Sequence, residues 1–68
     1  MSSVSFVVEQ APEGGYIARA IGAPIVTQVE LEAELHEQVR EAVRCHFDEN
    51  QAPKLIHLHF VRDELIQA

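Results

Sequence analysis

Two closely spaced histidines are the first candidates for chemistry in this chain. His57 and His59 are separated by one residue, so on a β-strand both imidazoles would lie on the same face. Imidazole binds zinc and copper, but a site needs further ligands, and His36, Asp63 or a second subunit are the candidates. The same spacing fits the polar face of an amphipathic strand, or an interface that responds to pH. We expect the polar strand face, with no metal site and no bound cofactor.

The single cysteine lies beside a histidine, which is the pairing of a nucleophile with its general base. Adjacent helical residues diverge by about 100°, so Cys45 and His46 would not face each other. We expect His46 to pack on the apolar side near the end of a helix, and Cys45 to lie at the core margin. The carboxylates form no converging set of the kind that metal-dependent nucleases use. The sequence therefore predicts a protein without catalytic residues, not an enzyme.

The charge balance indicates the kind of partner. Eleven acidic residues against five basic ones give a formal net charge of −6. Phosphate backbones repel such a chain, so we expect no direct nucleic-acid partner, whereas a basic protein would be attracted. No stretch approaches the about 20 apolar residues of a membrane span, and no targeting signal precedes the first apolar run. A soluble, cytoplasmic protein with no membrane partner is expected, and a lone cysteine suits a reducing compartment.

The length of 68 residues allows one domain, spanning residues 1–68, with a small core. Domains of this size usually need a disulfide, a metal or self-association to be stable. One cysteine cannot form a bridge within the chain. We therefore predict a homo-oligomer, either a dimer or a tetramer.

Four strands and one helix follow from the pattern of apolar residues and turn formers. The segment 11–15 combines proline and glycine between two alternating runs, which predicts a hairpin. The predicted order is β-β-β-α-β, an α+β fold whose antiparallel-rich sheet carries one helix on one face. The predicted strands are 4–10, 16–21, 25–28 and 54–61, and the predicted helix is 30–48. Residues 62–68 fit either an extension of the last strand or a short helical turn.

The predicted helix has one apolar stripe and an acidic opposite face. Thr27 followed by Glu30 resembles a capping box at its start. The stripe is formed by Leu31, Leu35, Val39, Ala42 and Val43, with Phe47 at its margin.

One helix covers only one face of a sheet, which leaves the other face as the candidate interaction site. We place Val4, Phe6, Val8, Ile56, Leu58 and Phe60 toward the helix. Three of the residues on the other face are aliphatic, which is more than a purely solvated surface needs. Exposed apolar patches often mark association sites. The face would either pack against a copy of itself, which is the stronger candidate, or receive a partner. Its predicted members are Val7, Ile17, Arg19, Ile21, His57 and His59.

Three short motifs between residues 8 and 43 resemble the HicB family of antitoxins. They are Pro-Glu-Gly-Gly-Tyr at 12–16, Val-Thr-Gln at 26–28 and a Glu-rich helix ending Arg-Glu-Ala-Val at 40–43. The resemblance implies a β-β-β-α-β domain, described as a partial ribonuclease-H-like fold. It also implies a protein-binding module that neutralises a small basic RNA-cleaving toxin called HicA.

The sequence departs from the family pattern in two motifs and in the absence of one module. Ala-Pro-Ile at 23–25 replaces Pro-Gly-Cys, and Val-Glu-Leu at 29–31 replaces Gly-Asp-Thr before the helix. The C-terminal DNA-binding module of many HicB proteins is not present in this sequence. We therefore expect a solitary HicB-like domain that docks a basic HicA-type toxin. The alternative is an orphan homo-oligomeric domain with a regulatory or scaffolding contact and no toxin partner.

Overall fold

The first strand is the centre of the sheet in a computed structural model of the protein, which describes residues 3–68. It pairs antiparallel with β2 on one side and parallel with β4 on the other, while β3 pairs antiparallel with β2. The strand order is therefore β3-β2-β1-β4, and the predicted α+β class with an antiparallel-rich sheet is confirmed. The elements are β1 (Ser3–Gln10), β2 (Tyr16–Ala20), β3 (Val26–Val29), a 3-10 helix (Glu32–Glu34), α1 (Leu35–His46) and β4 (Leu55–Phe60).

The core lies between one face of the sheet and α1. Alternate residues of β1 are buried because successive side chains of a strand point to opposite faces. The predicted inward side of β1 is confirmed, and α1 contributes a stripe at i, i+4 and i+8. Among residues 3–68 no polar side chain is buried. The largest fully buried side chains are Phe6, Val8, Leu35 and Val39.

The predicted hairpin between β1 and β2 is closed by a loop with two glycines. The Ala11 N–H donates to the Gly15 carbonyl at 2.9 Å, and the Gly14 N–H donates to the Ala11 carbonyl at 3.0 Å. Gly14 and Gly15 have φ values of 108° and 82°, which side chains with a Cβ rarely adopt. The loop brings β2 back beside β1 and so places Ile17 and Arg19 next to Val7 and Glu9.

The predicted start of the helix is wrong. β3 continues to Val29, so Thr27 is a strand residue and cannot cap a helix. Leu31 is extended (φ −120°, ψ 140°) and 63% exposed, and it therefore does not belong to the apolar stripe. The carboxylate of Glu34 accepts a hydrogen bond from the Leu31 N–H at 3.1 Å, which is half of a capping box placed four residues later than predicted.

The helix also ends earlier than predicted, at His46. Phe47 leaves the helix in an extended conformation (φ −99°, ψ 147°), and its side chain packs against the core from there. At 12 residues α1 is shorter than the predicted segment 30–48. No helix within residues 3–68 has the length and apolar character needed to cross a membrane.

Residues 62–68 adopt neither of the two predicted conformations. The Val61 N–H donates to the Val8 carbonyl at 2.8 Å, which continues the pairing of β4 with β1 for one residue. Beyond it, the segment has no regular secondary structure and every residue is exposed. The long axis of the molecule, 52 Å against 20 and 18 Å, reflects this segment running away from the sheet.

Candidate functional site

The strand register places five of the six predicted association residues on the face of the sheet that α1 leaves uncovered. Val7 lies opposite Arg19 on one side and His59 on the other. Ile17 lies opposite Glu9, and His57 lies opposite Ser5. The Ile21 N–H donates to the Ser5 carbonyl at 2.8 Å, which keeps Ile21 beside the same row. We call this surface the open face.

Two further apolar side chains belong to the open face and were not predicted from the sequence. Val26 lies opposite Arg19 and is 60% exposed, and Leu55 lies opposite Ser3 and is 68% exposed. Leu55 alternates with Ile56 and shares the side of His57, so the period-two pattern of β4 was a sufficient signal. Val26 was missed because the sequence analysis assigned no face to β3, whose register with β2 places Val26 beside Arg19. With Ile21 at 60% exposure, three large aliphatic side chains lie on the open face facing solvent.

Among residues 3–68, Arg19 is the one full cation of the open face. It lies in a row that runs from Val26 through Arg19 and Val7 to His59. No ion pair of Arg19 occurs within the part of the chain that the structure describes. The guanidinium therefore stands between apolar neighbours with its donors available to a partner.

The two histidines of β4 stack on each other. The ring centroids of His57 and His59 lie 4.0 Å apart, and the ring planes differ by 13°. Nitrogen lone pairs lie in the ring plane, so those of two nearly parallel rings run side by side and do not converge on one ion. His36, a predicted third ligand, lies on the opposite side of the sheet, in a hollow with Ile56 and Leu58. Within residues 3–68 no three histidine, cysteine or acidic side chains form a group that would hold a metal.

The predicted packing of Cys45 and His46 is wrong. Both residues are exposed. The Cys45 thiol lies 3.8 Å from a carboxylate oxygen of Glu41, and the His46 ring contacts Phe47 edge-on, with centroids 4.9 Å apart. His46 falls on the apolar side of the helix by angle, but the last turn of α1 lies at the rim of the sheet. Phe47 packs against the core there, leaving the imidazole in solvent.

The acidic residues are all on the surface. Each of the eleven carboxylate side chains of the sequence is exposed. Within residues 3–68 only two of them form ion pairs, Glu37 with Arg40 and Glu41 with Arg44, both at 2.9 Å. These pairs lie one turn apart on α1 and contribute little stability because they are exposed. The remaining carboxylates give the molecule an uncompensated negative field.

Two relatives match nearly the whole chain. A UPF0150 protein of Thermotoga maritima is 41% identical over 63 residues, which cover 93% of this chain and 89% of the relative. A UPF0150 protein of Archaeoglobus fulgidus is 47% identical over 55 residues, which cover 81% of this chain and 82% of the relative. No family model and no solved structure matches the chain. The names of the relatives state no activity, so they do not test the resemblance to HicB.

Proposed function

Because the chain belongs to the UPF0150 family, whose name states no activity, we propose its function from the candidate site. The protein is a small HicB-like binding module that docks a basic, RNA-cleaving partner of the HicA type on its open face. The observation that carries this proposal is the exposure of Ile21, Val26 and Leu55, between 60% and 68%, on a face that no element within residues 3–68 covers. Removing apolar surface of this kind from water stabilises the complex with a partner.

The charge distribution supports a basic partner. The exposed carboxylates attract a positively charged protein over a distance of about one Debye length, ~8 Å at physiological salt. Such a field raises the rate of encounter more than it raises the final affinity. The apolar residues of the open face would then supply most of the affinity, while Arg19 would orient the partner by hydrogen bonding. Steering by the carboxylates and docking by the open face are thus performed by different parts of the protein.

The central position of Arg19 favours a different protein over a second copy on this face. A two-fold contact whose axis passes near Arg19 brings the residues at the axis close to their own symmetry mates. Two guanidinium groups would then approach each other among apolar side chains, where like charges are poorly screened. A heterologous partner can instead offer a carboxylate or carbonyl group to Arg19. An orphan homo-oligomeric domain that uses this face is therefore the second candidate.

On this proposal the protein is a binding module, not an enzyme, and acts in the cytoplasm. The RNA substrate of a HicA-type partner is cytoplasmic, and a single exposed thiol suits a reducing compartment. The side chains of the open face include one carboxylate, Glu9, and a stacked histidine pair. They support recognition of a surface better than they support bond cleavage.

The test uses a purified, catalytically inactive HicA-type toxin, chosen from the reading frame beside this one. Its affinity for the parent chain is compared by calorimetry with its affinity for Ile21→Ser and Val26→Ser. We expect each substitution to weaken binding by about tenfold or more, as for residues central to an interface. The matched control is Leu31→Ser, since Leu31 is similarly exposed, at 63%, but precedes α1.

The same variants are tested for protection of cells that express the active toxin. The parent chain and Leu31→Ser should restore growth, whereas Ile21→Ser and Val26→Ser should not. Circular dichroism must show that all variants remain folded. An absence of measurable toxin binding by the parent chain, or equal affinity in all three variants, would overturn the proposal.

A further inference from the structure

The edge strand β4 is only partly covered on its inner side. Ile56, Leu58 and Phe60 lie opposite Val4, Phe6 and Val8, so both sets point toward α1. The β1 residues are at most 4% exposed, whereas Ile56 and Leu58 are half-buried and Phe60 is 54% exposed. Because β4 is the last strand in the order β3-β2-β1-β4, its outer backbone edge is also unpaired within residues 3–68. Unpaired edges are templates for a further strand.

A groove runs between α1 and β4 along this edge. It consists of two hollows of about 290 and 370 Å³ that share Arg40 and Ile56. The floor is apolar, with Val39 and Leu58 in the first hollow. The rim carries three cationic side chains, Arg40, Arg44 and Lys54. Arg40 and Arg44 also form exposed ion pairs with Glu37 and Glu41, whereas Lys54 has no ion pair within residues 3–68. We call it the β4 groove.

Residues 61–68 are complementary to the β4 groove in both respects. Leu65 and Ile66 are 102% and 88% exposed, the two most exposed large apolar side chains described. Asp63 and Glu64 immediately precede them, which puts two negative charges beside two aliphatic residues. The segment contains neither glycine nor proline that would turn it back onto its own β4. Its first residues instead pass Gln10 and Tyr16, beyond the end of β4.

We infer that residues 61–68 of a second copy of this chain bind in the β4 groove as an added strand beside β4. Side chains of a strand alternate, so Asp63 and Leu65 share one face and Glu64 and Ile66 share the other. With Leu65 on Ile56 and Leu58, Asp63 lies on the side of Arg40. Ile66 then lies beside Leu55 on the open-face side of the extended sheet. Backbone hydrogen bonds supply affinity and the alternate side chains fix the register, as in other strand additions.

The exchange is reciprocal in a two-fold dimer, because each copy has one segment and one groove. Every contact then occurs twice, which doubles the buried area. The total thereby approaches the lower limit of specific interfaces, about 1,200 Å². The dimer also covers the poorly buried side of β4, and a chain of this size benefits from such additional burial. The β4 groove and the open face lie on opposite sides of the sheet. Of the three exposed aliphatic residues of the open face, only Leu55 would be contacted, so Ile21→Ser and Val26→Ser test the proposed function while Leu65→Ser/Ile66→Ser and Arg40→Glu test the dimer.

The test measures self-association by sedimentation equilibrium over a series of protein concentrations. The parent chain should be a dimer. The double variant Leu65→Ser/Ile66→Ser, which loses the apolar side chains of the segment, should dissociate at least about tenfold more readily. The groove variant Arg40→Glu should also dissociate more readily, and Asp63→Arg added to Arg40→Glu should restore the dimer. Ile21→Ser on the open face is the matched control and should dimerise like the parent chain.

Mixing the two defective proteins separates segment exchange from an ordinary two-fold contact. Leu65→Ser/Ile66→Ser retains an intact groove, and Arg40→Glu retains an intact segment. Their mixture should form heterodimers in which one intact segment occupies one intact groove. The affinity of the heterodimer should lie between that of the parent dimer and that of the dimer formed by either variant alone. A monomeric parent chain, a segment variant that dimerises like the parent, or a dimer lost only in Ile21→Ser would each overturn the inference. Circular dichroism of every variant excludes unfolding as the cause of dissociation.

Discussion

The backbone of Gly15 lies directly against the carbonyl oxygen of Val29, where β2 begins and β3 ends. A β-carbon on Gly15 would overlap that oxygen and would also crowd the α-carbon of Glu30. Gly14, one residue earlier, has open space in the corresponding direction. The two glycines of the hairpin therefore have different roles, although both have positive φ. The first serves the turn alone, and the second also allows β3 to close against β2.

Gly15→Ala should destabilise the protein more than Gly14→Ala. A left-handed conformation costs a residue with a Cβ about 1–2 kcal/mol, and both variants incur this cost. Only Gly15→Ala adds a clash with the backbone of β3, which cannot move without breaking the β2–β3 pairing. Urea denaturation of both variants gives the difference in unfolding free energy. Equal losses would show that the close approach of Gly15 to Val29 is not a feature of the folded protein.

Leu35→Ala should unfold or severely destabilise the chain, whereas Leu31→Ala should have little effect. Leu35 is fully buried, and deleting a buried leucine side chain costs about 2–5 kcal/mol. Leu31 is 63% exposed, so its truncation should change stability by about 0.5 kcal/mol or less. The measurement is thermal or urea unfolding followed by circular dichroism. Similar losses in both variants would contradict the late start of α1 and support a helix that begins at residue 30.

Cys45 should react with a thiol reagent in the folded protein. Its side chain is exposed on α1, one turn from Glu41, and no part of the fold described by the structure covers it. We expect one equivalent of label per chain under native conditions, at a rate close to that measured in denaturant. Mass spectrometry of timed samples gives the rate. Strong protection that disappears on unfolding would place the thiol at the core margin or in an interface.

The faces of the sheet followed from the sequence because alternation in a strand is local. Val4, Phe6 and Val8 on β1, and Ile56 and Leu58 on β4, were assigned to the correct side from period-two patterns alone. Leu35, Val39 and Val43 were correctly assigned to the apolar stripe of the helix, because helical periodicity is also a local property of the sequence. The ends of elements were less predictable. Position 31 continues the helical pattern, yet Leu31 is extended because the pairing of β3 with β2 controls the chain to Val29.

The candidate chemistry was predicted only in part. The spacing of His57 and His59 placed both rings on one face, but their stacking at 4.0 Å depends on side-chain rotation that spacing does not fix. The exposure of His46 depends on where α1 meets the rim of the sheet, and the helical pattern of the sequence does not predict that position. Val26 joined the open face because of the register of an edge strand, a long-range property.

The hairpin glycines separate what the sequence determined from what tertiary structure decided. The segment 11–15 determined that the chain turns there, because glycine is the residue that adopts positive φ at low cost. Only the folded chain shows that Gly15 also lacks space for a side chain, since Val29 is 14 positions away in the sequence. Likewise, composition determined an acidic protein with a small core. The pairing of β4 with β1 decided which apolar residues that core leaves uncovered, because burial depends on neighbours that local sequence does not specify.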